Sequence, residues 1–108
     1  MDSPVATLEV IEVAADGARI PMRLELGQPR PDGRGTWVCQ LSVDRHHLRL
    51  EDICGEDSLQ ALCLALRLFR LHLELAFERG SRLVYPDDGG EFPLHAYFER
   101  VLNENPSA

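Results

Sequence analysis

Six side chains in this sequence are the first candidates to hold a metal: Cys39, Cys54, Cys63, His46, His47 and His72. Protein zinc sites draw such ligands in close pairs, as C-x-x-C on a turn or H-x-x-x-H on a helix. Neither spacing occurs here. The pattern therefore predicts no metal site, with the cysteines acting as small buried hydrophobes. Nucleophilic catalysis has little more support. Ser58 falls in the first turn of an expected helix, where backbone amides could hold an oxyanion. Asp57 beside it is acidic, and no G-x-S-x-G elbow surrounds it. Cys54 with His46 or His47 would make a thiol–imidazole pair, but their spacing carries no signature. His72 projects among Ala61, Ala65, Leu68 and Ala76. It reads as a neutral core histidine with one hydrogen-bonded nitrogen rather than as a catalytic imidazole. The expectation is no catalytic residues, no metal and no cofactor. Should a pocket form between a sheet and the helix, Asp57, Ser58 and His72 are the first residues to suspect.

Composition narrows the field of partners. The chain has 108 residues and a net charge of −7. Nucleic-acid and anionic-membrane binders need clustered positive charge, so both classes are disfavoured. All the basic side chains apart from histidine are arginines. The first fifteen residues lack the basic start of a signal peptide. Three cysteines at irregular spacing fit reduced thiols in a cytoplasm better than a disulfide framework. One domain over residues 1–108 is expected, ordered from about residue 5 to about residue 102.

The elements that would position any site follow from periodicity. Val5–Ala15 is rich in β-branched residues and reads as a strand, followed by the hairpin signal Asp16-Gly17. Residues 18–26 alternate, with Ile20, Met22, Leu24 and Leu26 on one face. Pro21 cannot donate to a ladder, which predicts an edge strand or a bulge there. Gly27–Gly35 is a loop, and its prolines and glycines account for it without a phosphate-binding role for Arg30 and Arg34. Thr36–Asp44 alternates again, with Trp37, Cys39, Leu41 and Val43 together. His47–Ile53 reads as a fourth, weaker strand with Leu48 and Leu50 inward.

A long helix then begins at the N-cap Asp57, with Gln60 at capping-box spacing, and ends at Arg79-Gly80. At about 1.5 Å per residue it is roughly 33 Å long. Arg67, Arg70 and Glu74 within it exclude a membrane span. Its apolar residues cover roughly two thirds of its circumference, about twice what one sheet can bury. Ser81–Pro86 is a short strand. Pro93 opens a second helix carrying Leu94, Tyr97, Phe98, Val101 and Leu102, which can cover part of the first. The predicted fold is α+β, in the order β-β-β-β-α-β-α. It has an antiparallel sheet of four to five strands, one long helix across one face and a short C-terminal helix.

Three segments carry a resemblance. Trp37-Val38-Cys39, then Gly55-Glu56-Asp57-Ser58-Leu59-Gln60-Ala61-Leu62, then Leu83-Val84-Tyr85 with Phe92-Pro93 are similar to a family of small bacterial proteins of unknown function. That family shares W-x-C on a strand, G-x-D-x-x-Q-A-L opening a long helix, a strand after it and an F-P step. The resemblance spans roughly residues 20–93 and implies the same element order in a bacterial cytoplasm, with no assigned activity. The helix after Phe92-Pro93 is an addition to the pattern.

These observations favour a small acidic interaction protein, such as an adaptor, a regulator or an immunity-type inhibitor. The competing reading is an enzyme or small-ligand binder with a pocket between sheet and helix. Excess apolar helix surface predicts a protein partner, first of all a second copy in a homodimer. The flank Leu64, Leu68, Leu71 and Leu75, or the C-terminal helix around Tyr97, is the expected contact, with an open sheet edge as its competitor.

Overall fold

The structure is a computed structural model that describes residues 3–98. β1 (Ala6–Val13) and β2 (Arg19–Leu26) form the predicted hairpin. Gly17 takes φ 90° at its turn, a conformation other residues rarely adopt, and Ala14 N–H donates to Ala18 O at 2.8 Å to close it. The Gly27–Gly35 loop contains a two-residue strand, β3 (Arg30–Pro31). β4 (Trp37–Arg45), β5 (His47–Gly55), α1 (Ser58–Glu78), β6 (Arg82–Val84) and α2 (Leu94–Phe98) follow.

Every strand pairing is antiparallel. β3 prolongs β2 along the same side of β4. Leu26 faces Leu41, Gly27 N–H reaches Gln40 O at 2.8 Å, and Arg30 then faces Val38. The sheet thus runs β5-β4-β2-β1-β6 across its width. β2 is central and not the edge that Pro21 suggested. β4 stops at Arg45, opposite Met22, so Pro21 lies just past the end of that ladder.

One face of the sheet buries Val10, Met22, Leu24, Leu26, Cys39, Leu41, Val43 and Leu83. α1 lays Ala61, Ala65, Phe69, Leu73 and Ala76 against it. The alanines let the helix axis come close, and the approach is tightest at its start. A Cβ on Gly55 would fall 2.4 Å from Ala61 N and 2.8 Å from its Cα. Only glycine fits there. Asp57 caps the helix, accepting from Gln60 N–H at 2.7 Å. Gln60 Oε1 returns the bond one residue earlier than in a standard capping box, to Glu56 N–H at 2.7 Å. The helix ends in a Schellman motif, with Gly80 at φ 83° and Ser81 N–H donating to Ala76 O.

The C-terminal segment packs against part of the β6 side of α1, where Leu66 and Phe77 stay 39% and 41% exposed. Phe92 is buried, edge-on to Tyr85 with ring centroids 5.7 Å apart. Leu94 and Phe98 pack against the core, and the Arg70 guanidinium lies 5.7 Å from the Phe98 ring. Of the residues expected to form the second helix, Val101 and Leu102 lie outside the described residues.

Candidate functional site

The three pocket candidates do not converge. Asp57 spends its carboxylate on the helix cap. Ser58 is exposed in the first turn. His72 is about 20 Å further along the helix, half-buried, with Nε2 at 3.2 Å from Glu51 Oε1 on β5. Cys54 closes β5, while His46 and His47 stand at the strand's opposite end, about 25 Å away. Cys39 alone of the cysteines is buried, with Sγ 3.2 Å from Gly27 O, and burial pushes its thiol up. Cys54 and Cys63 are exposed, contrary to the expectation of buried hydrophobes. Among the described residues no group of three or more His, Cys, Asp or Glu is placed to hold a metal, and no helix is long and apolar enough to cross a membrane.

A charged cluster lies where sequence reading placed none. Glu12 is 1% exposed on the helix-facing side of β1. Its carboxylate accepts from Arg45 Nε at 2.6 Å, from Arg79 Nε and Nη2 at 3.0 and 2.8 Å, and from Ser81 Oγ at 2.6 Å. Burial alone would raise its pKa, but the hydrogen bonds from Arg79, Arg45 and Ser81 outweigh it and hold the group at about 2. A carboxylate so fixed in its charged form is a poor proton donor or acceptor near neutrality. Its work is to tie β1, β4, the end of α1 and the start of β6 together. The local signal was parity: Glu12 shares its strand face with Leu8 and Val10.

Beside this cluster the surface sinks into a recess of about 200 Å³. Arg45, Arg49, Arg79, His46, His47 and His72 line it, a basic spot on an acidic chain. His46, with φ 68°, is the only described non-glycine residue in the left-handed region. Non-glycine residues there cost energy and cluster at turns and binding sites.

Among the described residues the β5 edge is open. All nine residues of β5 pair with β4 on one side, and among the described residues none pairs on the other. Leu48 and Leu50 are not inward. Register sets them opposite Asp44 and Ser42 on the outer face, where they are 56% and 58% exposed. Arg49 and Glu51 instead face the helix layer. Above them runs the predicted leucine flank of α1. Leu64 and Leu68 are half-buried, whereas Leu71 and Leu75 remain 44% and 39% exposed. The C-terminal segment lies on the other side of α1 and leaves these leucines open. Tyr97 is exposed too, but its hydroxyl is 2.8 Å from that of Tyr85 and its ring stacks on Phe92 at 4.6 Å, so it is engaged within the chain.

Comparison with known proteins finds one family, described as a domain of unknown function (DUF6968), whose model matches residues 9–96. No curated protein and no solved structure matches.

Proposed function

The chain belongs to the family of this domain of unknown function, DUF6968, and we propose that it works as a small, acidic, non-catalytic interaction module that associates first with a second copy of itself. One observation carries this reading. A nine-residue sheet edge, unpaired on its outward side among the described residues, lies beside exposed Leu71 and Leu75, with Leu48 and Leu50 on the opposite face. Open edges invite another strand, and contiguous exposed apolar surface marks contact sites. An adaptor, regulator or immunity-type inhibitor would use the same surface. The free thiols of Cys39, Cys54 and Cys63 support a reducing cytoplasmic setting. Sedimentation equilibrium of the full chain at micromolar concentration tests the reading. A dimer is expected, and Leu71→Arg with Leu75→Arg should render it monomeric. A monomer at all concentrations would overturn it.

A second reading, small-ligand binding, is favoured by the basic recess between α1 and the β4–β5 turn. Its charge suits a small anion. Titration with inorganic phosphate, followed by the histidine ring resonances, tests it. Shifts confined to His46, His47 and His72 would support it, and unmoved resonances would exclude it.

A further inference from the structure

Resting on the self-association reading, we infer that two copies pair through β5 in one register, antiparallel about a two-fold axis, with Leu50 opposite its own counterpart. The inference comes from the order of charges along the strand. On the helix-facing side β5 presents His47, Arg49, Glu51 and Ile53 in turn. Directly opposed residues in an antiparallel pair share a face and interact strongly. With Leu50 on the axis, Arg49 of each copy meets Glu51 of the other, so two ion pairs form by symmetry. Sliding the pairing by one residue in either strand direction about the axis changes this. Centring on Arg49 opposes like positive charges, and centring on Glu51 opposes like negative ones. Registers that pair odd positions with even ones are excluded, because the two-fold keeps the same face of both copies up and opposed residues in an antiparallel pair must share a face.

Independent geometry agrees with the Leu50-centred register. His72 reaches Glu51, so the exposed leucines flanking His72 on α1, Leu71 and Leu75, stand level with residues 50 and 51. The two helices lie on one face of the joined sheet and present these leucines toward each other across the axis. On the outer face Leu50 meets Leu50, with Leu48 beside them. Arg49 has no ion pair among the described residues, and Glu51 keeps one carboxylate oxygen free of His72. Inward charges on an edge strand guard it against strange strands. A complementary pair two residues apart does more, because it accepts this chain's own edge in one alignment. The edge at β6 offers no equivalent, since β6 is three residues long and Val84 already bridges to Glu91.

Charge reversal on the full chain tests the register. Arg49→Glu and Glu51→Arg should each weaken self-association at least tenfold in sedimentation velocity. An equimolar mixture of the two variants should associate again, because each then supplies the charge the other lacks. The double variant should regain the wild-type association. A second measurement does not depend on charge. In a Cys54→Ser, Cys63→Ser background, Leu50→Cys should form a covalent dimer under mild oxidation, since directly opposed Cβ atoms lie about 4.5–5.5 Å apart. Leu48→Cys in the same background should not. A dimer that is lost with Leu71→Arg but ignores the reversals and cross-links at position 48 would overturn the register and leave self-association standing. A wild-type monomer would overturn both.

Discussion

The Glu12 carboxylate and the Arg79 guanidinium meet in a two-point ion pair, Nε to Oε2 at 3.0 Å and Nη2 to Oε1 at 2.8 Å, which fastens the end of α1 to the first strand. Arg45 and Ser81 complete the shell, so the buried charge has four donors. Glu12→Gln removes the charge but leaves Arg45 and Arg79 beside it. Both arginines keep access to solvent, so the cost is that of the lost charged hydrogen bonds, about 1.5–3 kcal/mol, and chemical denaturation should show a loss of that order.

The same group makes stability depend on pH. Its pKa in the folded protein is about 2, against an ordinary value of 4.5. A carboxylate depressed on folding stabilises fully above its unfolded value and loses that contribution as pH falls through its folded one. The window therefore runs from about 4.5 down to about 2. At 1.36 kcal/mol per unit the contribution is about 3 kcal/mol. Melting curves of the wild type should fall more steeply across this window than those of Glu12→Gln.

Gly55→Ala should be among the most damaging single-methyl changes in the chain. The new Cβ would meet the backbone of Ala61, which cannot turn aside as a side chain can. A loss of about 1–3 kcal/mol or more is expected, measurable by urea titration, as α1 lifts from β5.

Asp57→Ala should cost about 0.5–2 kcal/mol through loss of the bond to Gln60 N–H. The amides of the first turn should exchange faster with solvent. Protection there equal to wild type would mean that the cap contributes nothing.

Leu73 and Leu71 are two positions apart on α1 with opposite duties. Leu73 is fully buried, and Leu73→Ala should cost about 2–5 kcal/mol whatever the protein concentration. Leu71→Ala should change the stability of the dilute protein by less than about 0.5 kcal/mol. Its effect should grow with concentration, because the side chain is exposed until a partner covers it.

Much of the architecture was legible because its signals are local. Asp16-Gly17, the Asp57 cap and Arg79-Gly80 each act within a few residues, and each stands where it was expected. The misreading of Leu48 and Leu50 has a plain cause. Polarity suggested that leucines point inward, but β5 takes its facing from β4, and pairing with Ser42 and Asp44 turns them out. The Pro21 edge failed similarly, because proline marks where a ladder lacks a bond and not which strand is outermost. Glu12 was hidden because its partners are 33 and 67 residues away. No window short enough to show a periodicity contains them.

The return of β6 to β1 has a consequence for rates. From β1 to β5 the chain forms a meander, each strand closing on a near neighbour in sequence, and such contacts form early. β6 must come back across the whole of α1 to set Ile11 against Val84. That closure, and the Glu12 cluster beside it, is expected to form last, because it closes the longest loop. Contacts made after the transition state govern how fast a protein opens. Stopped-flow measurements should find that Glu12→Gln speeds unfolding manyfold while leaving the folding rate nearly unchanged. The buried carboxylate thus acts as a late latch, setting the lifetime of the native state rather than the speed of reaching it.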